Sequence, residues 1–497
     1  MHVKEKSVVL SLSTGAIRGE ASDGVFAFRG VPYGDRAQPG NRLSEVKPPS
    51  AWTGERDATA PGAVFPQAPS RLANVMGNGI DRSPQSEDAF LLNVWAPQDA
   101  QRRPVFVFIH GGGFLSGGGT AAWYDGERVA RESGMVVVTV NYRLGALGHF
   151  TDARDARGAN RAVRDLIRAL EWVQEHISRF GGDPASVTVG GQSAGAYYAW
   201  LLGVSPASKG LLHRNAMFSL PALPPLAPED AYRTSLALLD AAGEQDIGAL
   251  SVTGILAAQS QLMRARARFG EVSVGFRPVA EDGLVPDWLF DLPRAAREAH
   301  VSSSLLGFTA DENAAFMAAA PEVVHATEPQ VKAWFETSFG ADAMKHYAAF
   351  AAARPDHTPY TQLVDASGYR LFGAAAREIA SAFATAGKPV YPYRFSVQSR
   401  VPNLMSPHCL ELPFLFGNRN DWLDAPMMAN IPDETFEKVG AEFRLGISSF
   451  ARTGKPATLS GATWLPFDVA EPRIADFKDH GTSWMAWHPL LAAWRLP

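Results

Sequence analysis

Three short apolar runs, each closed by glycine or polar residues, constrain this chain more than any other feature. "RPVFVFIH" (103–110), "GMVVVTVNY" (134–142) and "ASVTVGG" (185–191) have the length and β-branched content of strands buried on both faces. Between the last two, residues 160–179 put Val163, Leu166, Ile167, Leu170, Val173 and Ile177 at helical spacing. "FGGDP" then stops that helix with two glycines and a proline. Strand, helix and strand with glycine punctuation predict an α/β fold, a mostly parallel sheet covered by helices. "SSSLLGF" (302–308) and "PVYPYRFSV" (389–397) are further strand candidates. Residues 225–300 and 320–385, richer in Ala, Leu, Arg and Glu, read as helices laid over the sheet. With no repeat and no low-complexity linker, residues 1–497 are expected to form one domain.

Composition removes several function classes. Of 497 residues, 46% are hydrophobic and 20% charged, which suits a large buried core. The net charge of −5 and the lack of a basic run leave no electrostatic footprint for nucleic acid or an anionic membrane. Cys409 is the only cysteine, so no internal disulfide can form. The first residues, "MHVKEKSVVLSLSTGAIRG", alternate like a strand rather than a signal peptide. No apolar run approaches the roughly 20 residues that span a bilayer. A cytoplasmic location is expected.

"GGQSAGA" (190–196) raises the question of chemistry. Its core, Gly191-Gln192-Ser193-Ala194-Gly195, fits G-x-S-x-G, a turn that lifts a nucleophilic serine above a sheet. The bland alternative is a glycine turn with an incidental serine. A strand before it and the helical "AYYAWLLG" after it supply the context the first reading needs. Oxyanion donors are at hand in "HGGGF" (110–114), where glycines let backbone N–H groups converge with that of Ala194. A dinucleotide loop does not fit residues 111–116, because Ser116 stands where the last glycine belongs, and a P-loop lysine is missing. Asp311 and Glu312, beyond a strand, are candidate acids; His408 and His480 are candidate bases. Spacing alone leaves both choices open.

The chain resembles the type-B carboxylesterases, α/β-hydrolases that include the cholinesterases and bacterial p-nitrobenzyl esterases. The resemblance runs through "FRGVPYG" (28–34), "SEDAFLLNVWAP" (86–97), "HGGGF" (110–114), "NYRLGALG" (141–148), "FGGDPASVTVGGQSAGA" (180–196), "GFTADEN" (307–313) and "HCLELPFLFG" (408–417). It implies an α/β-hydrolase fold with helical insertions over the active site. It makes Ser193 the nucleophile, His408 the base, Glu312 the acid, and Gly112, Gly113 and Ala194 the oxyanion-hole positions. Ser219 falls on a serine that supports the acid, and Phe114 and Phe316 fall on pocket-lining positions. The His-Cys pair at 408–409 is similar to aryl-carbamate (phenmedipham-type) hydrolases.

The departures are specific. Gln192 replaces a glutamate beside the nucleophile, Asn313 a glycine after the acid, and Ala89 a disulfide cysteine of secreted relatives. "FSL" (218–220) replaces "QSG" and predicts a bulkier pocket wall near Ser219. The bland reading of Cys409 is a small buried hydrophobe. The resemblance implies a serine carboxylesterase acting on uncharged esters through an acyl-enzyme, with no metal or organic cofactor. A carbamate or anilide hydrolase using the same triad is the alternative. A non-catalytic binding protein is a third reading, disfavoured by the complete triad and oxyanion loop. The expected partner is a small-molecule ester, and the choice between monomer and homodimer is left open.

Overall fold

The computed structural model describes residues 6–487 apart from 37, 39, 154–157 and 273. Its strands are β1 (Lys6–Leu12), β2 (Gly15–Ser22), β3 (Val25–Pro32), β4 (Leu91–Pro97), β5 (Arg103–Ile109) and β6 (Val136–Val140). The series continues with β7 (Gly182–Gln192), β8 (Arg214–Phe218), β9 (Ser304–Thr309), β10 (Val390–Phe395), β11 (Arg473–Lys478) and β12 (Gly481–Ala486). They form one sheet in the order β1-β2-β3-β4-β6-β5-β7-β8-β9-β10-β11-β12, with a short strand, Glu55–Asp57, beside β2. Every neighbouring pair from β6 to β11 is parallel, and the flanking pairs are antiparallel.

Side-chain alternation explains why the central runs are apolar throughout. On β5, Val105, Val107 and Ile109 join the core beneath helices α1 (Arg161–His176) and α2 (Ala194–Val204). The intervening Phe106 and Phe108 belong to a second core on the opposite face. The predicted helical stripe of Val163, Leu166, Leu170 and Val173 is buried in the first of these cores.

Two stretches were expected to be helical. In the first, α3 (Pro228–Ala242) and α4 (Val252–Ala265) form. The described residues between α4 and Leu292 form no helix, because Gly270, Gly275, Pro278, Gly283 and Pro286 interrupt the period. In the second, α5 (Glu328–Phe339), α6 (Ala343–Ala353), α7 (Pro359–Gly368) and α8 (Ala374–Thr385) all appear. Trp334, Phe335, Phe350 and Leu363 make a separate apolar cluster there, whereas Ile379 and Phe383 of α8 join the core of the sheet. Helices α9 (Glu411–Phe416) and α10 (Asp433–Thr453) complete the second face, the latter through Phe436, Val439, Phe443 and Ile447. No helix among the described residues is long and apolar enough to cross a membrane.

Parallel strands place the loops after β5, β7, β9 and β10 at one edge of the sheet, where such folds gather ligands. A buried ion pair braces that edge. Arg143, just after β6, donates to Asp165 of α1 at 2.8 and 2.6 Å and to the Ser44 carbonyl at 2.6 Å. Their side chains are 3% and 0% exposed. Breaking such a pair from one side leaves an uncompensated charge in the interior. We expect Asp165→Ala to lower unfolding stability by about 3–5 kcal/mol, read from the urea midpoint. A loss below about 1 kcal/mol would show that the pair is not structural.

Candidate active site

The turn at Ser193 is one residue long. Strand β7 ends at Gln192, α2 begins at Ala194, and Ser193 between them has φ 58° and ψ −120°. Its amide donates to the Phe218 carbonyl at 2.8 Å, and its carbonyl accepts from the Tyr197 amide at 3.0 Å. Space behind the turn requires glycine, since a Cβ on Gly195 would lie 2.0 Å from the Ile109 carbonyl oxygen. Left-handed backbone costs an L side chain about 1–2 kcal/mol, so packing must hold it. Phe114, Ser193, Ser219 and Cys409 are four of the nine non-glycine residues with positive φ among the described residues. All four surround this site, and strain of this kind clusters at functional sites.

The glycine loop after β5 is held from behind. His110 stacks on Tyr142 with ring centroids 4.4 Å apart, and the Tyr142 hydroxyl donates to the His110 carbonyl at 2.8 Å. Burial lowers the His110 pKa to about 4, so the ring stays neutral. Gln67 clamps Gly117 by accepting from its amide at 2.7 Å and donating to its carbonyl at 2.8 Å. Gly112 has φ 122°, and a Cβ there would meet the Ser116 carbonyl oxygen at 2.0 Å. The amides of Gly112, Gly113 and Ala194 donate to no protein acceptor among the described residues.

The structure separates the competing acids and bases. His408 Nδ1 is hydrogen-bonded to Glu312 Oε2, with both side chains buried. The other Glu312 oxygen accepts from the Thr309 amide at 2.9 Å, and the His408 amide donates to the Glu312 carbonyl at 3.2 Å. Asp311 turns away to an ion pair with Arg354 and accepts from the Ser406 amide at 3.0 Å. His480 is exposed in the turn between β11 and β12. Asn313 has φ −77°, so the acid loop needs no glycine there.

Other expected neighbours differ in detail. Gln192 lies with its Nε2 3.1 Å from His408 Nε2, so the ring's outer nitrogen is the acceptor and Nδ1 carries the proton. Ser219 hydrogen-bonds at 3.5 Å to Glu411 Oε1 in place of the expected Glu312. Phe218 and Leu220 point into the two cores rather than the pocket; the bulkier wall predicted from "FSL" is not there. Cys409 is buried beside His408 with its backbone at φ 76°.

A narrow cavity of about 60 Å³ opens over Ser193. Gly112, Gly113, Gln192, Ala194, His408 and Cys409 share its lining with the half-buried serine. Phe114 reaches it while packing edge-on against Tyr197 and Tyr198, both at 5.5 Å. Phe316 and Phe372 flank the His408 ring at centroid distances of 5.4 and 4.9 Å. Phe372 lies in a π-helical turn (Tyr369–Gly373) between α7 and α8, a distortion frequent at functional sites.

The site also contains a residue assigned no role from the sequence. Glu411 is fully buried, and its Oε2 has no hydrogen-bond partner among the described residues. Burial pushes its pKa up to about 8, the nearby Glu312 charge adds to the rise, and His408 opposes it. Near neutral pH Glu411 therefore holds a proton. The signal in "HCLELP" was only an acid three residues after a histidine.

The comparisons with known proteins agree with this architecture. The carboxylesterase family model matches residues 6–486. Phenmedipham hydrolase of Pseudarthrobacter oxydans is 32% identical over 480 residues, covering 94% of each chain. Para-nitrobenzyl esterase of Bacillus subtilis is 33% identical over 461 residues, covering 90% of this chain and 91% of that one. The crystal structure of a Geobacillus stearothermophilus carboxylesterase superposes with a TM-score of 0.83 at 29% identity, over 96% of this chain and 97% of that one. The chain belongs to the carboxylesterase family, has the α/β-hydrolase fold, and is a carboxylic ester hydrolase.

The raised Glu411 pKa has a consequence for stability. Below the ordinary value of 4.5 this carboxyl is protonated whether the chain is folded or unfolded, and its contribution is fully present. Between there and about 8 the folded chain keeps a proton that the unfolded chain has lost, so that contribution falls as pH rises. Relative to wild type, Glu411→Gln should gain roughly 1 kcal/mol per pH unit from about pH 6 to about pH 8. Unfolding free energies measured across that range check this, and a pH-independent difference would refute it.

Proposed function

We propose that this carboxylesterase works by serine acyl transfer, with Ser193 as nucleophile, His408 as general base and Glu312 as the orienting acid. The observation that carries this is the sharing of one cavity by a serine in a strained one-residue turn and a histidine whose inner nitrogen is tied to a buried glutamate. Bonding to Glu312 puts the proton on Nδ1 and leaves Nε2 to take the one from Ser193 Oγ as it attacks the ester carbonyl. For this to happen the Gln192 amide must yield its place at Nε2. The Glu312 carboxylate stabilises the imidazolium, and the amides of Gly112, Gly113 and Ala194 receive the oxyanion. His408 then passes the proton to the departing alcohol. Water, deprotonated by the same nitrogen, releases the acid and restores the serine.

The roles of the remaining residues follow from what they touch. Gln192 positions His408, Ser219 orients Glu411, and Phe114 and Phe316 bound an apolar space that suits the uncharged part of an ester. No step needs a metal or an organic cofactor. A second reading, cleavage of carbamates or anilides by the same residues, is supported by the similarity to phenmedipham hydrolase over nearly the whole chain. A cytoplasmic location fits the single buried cysteine.

Initial rates on p-nitrophenyl butyrate, an aryl N-phenylcarbamate and an acetanilide test both readings. Ser193→Ala, His408→Ala and Glu312→Gln should each lower kcat on the ester by about 10⁴-fold or more, with circular dichroism unchanged. Near-normal turnover in any of the three would overturn the assignment. Serine-dependent turnover of the carbamate or anilide at a rate comparable to the ester would favour the second reading.

A further inference from the structure

The cavity over Ser193 is apolar along most of its wall, through Leu72, Met76, Ile80, Leu223, Val274 and Leu371. Its charged lining is one-sided. Among the described residues, Arg71 is the one lining residue with a permanent positive charge, and none of them there carries a carboxylate. The guanidinium stands against the oxyanion loop, since a Cβ placed on Gly113 would lie 2.7 Å from Arg71 Nη2. Arg71 is open to water at the cavity mouth yet densely surrounded by protein, and desolvation lowers its pKa. A guanidinium remains charged under that shift. Its rigid fork of five N–H donors can serve a planar anion alongside the partner Arg71 already has.

The adjoining cavity extends the same polarity. It shares Arg71, Ser116, Val272 and Phe316 with the first and adds Arg264, while its single carboxylate, Glu271, is paired with Arg370 at 3.1 Å. On a chain of net charge −5, a mouth with this local excess of positive charge selects against cations and attracts anions.

We propose that Arg71 is a specificity-determining residue that selects esters carrying a carboxylate on the alcohol or acyl portion, held beside the oxyanion loop while the apolar remainder fills the cavity. This rests on the acyl-transfer reading above and narrows its substrate class from wholly uncharged esters to esters with one anionic end.

The test uses two matched pairs of substrates and the full-length chain. One pair is 4-(butanoyloxy)benzoate and 4-(butanoyloxy)benzamide, with the charge on the leaving group. The other is the phenyl monoester of glutaric acid and its primary amide, with the charge on the acyl group. The quantity read is kcat/KM for the anion divided by that for its neutral partner. For at least one pair the wild-type ratio should be about 10, the size of one partly exposed charge-assisted contact. It should fall about tenfold in Arg71→Gln, recover in part in Arg71→Lys, and decline as salt is raised on wild type. A wild-type ratio at or below 1 for both pairs, or a ratio untouched by Arg71→Gln, would overturn the proposal. Serine-independent turnover of the neutral esters would instead count against the acyl-transfer reading, so the two failures are separable.

Discussion

Everything at this site depends on the one-residue reversal between β7 and α2. A strand buried on both faces must end and a helix must begin without a loop, which forces Ser193 into left-handed backbone and brings Gly195 against the end of β5. The same contact fixes the neighbouring strand end, and the glycine loop that follows β5 is then held in place by Gln67 and Tyr142. The parallel register of β5, β7 and β8 therefore sets the position of a serine and of three amides that donate to no protein acceptor among the described residues. Preorganisation of this kind is what the proposed oxyanion site requires.

The second constraint is electrostatic. Two carboxyls, Glu312 and Glu411, are buried close to one histidine, and both cannot hold a negative charge cheaply in a dry interior. Glu312 has a backbone amide and His408 as partners, whereas Glu411 has a weak contact with Ser219 and one oxygen with none. The proton settles on the less well solvated group. Asp311, next to Glu312 in the chain, is removed from the problem by Arg354, which also bonds Asp365 at 2.9 Å. Adjacent acids thus acquire different tasks through their partners.

Much of this was legible in the sequence, for physical reasons that differ by residue. Ser193 could be read because the turn needs glycines at set places and the flanking runs switch period from two to 3.6. The choice between Asp311 and Glu312, or His408 and His480, could not be made from spacing, because it depends on which way each side chain leaves its loop. Phe372 was hidden since a π-helical turn has the same composition as the α-helices around it. Arg71 sits in an irregular stretch whose path is set by tertiary contacts, and Glu411 resembles any acid near a helix start. The bulk of Phe218 was visible but not its direction, because strand parity at β8 sends it to the core.

Covalent labelling tests the central claim most directly. An alkyl fluorophosphonate should transfer its phosphonyl group to Ser193 Oγ with loss of fluoride, and peptide mass spectrometry should find one adduct on the peptide spanning Ser193. The labelling should be far slower in His408→Ala. An adduct on another residue, or none while ester hydrolysis continues, would contradict the account.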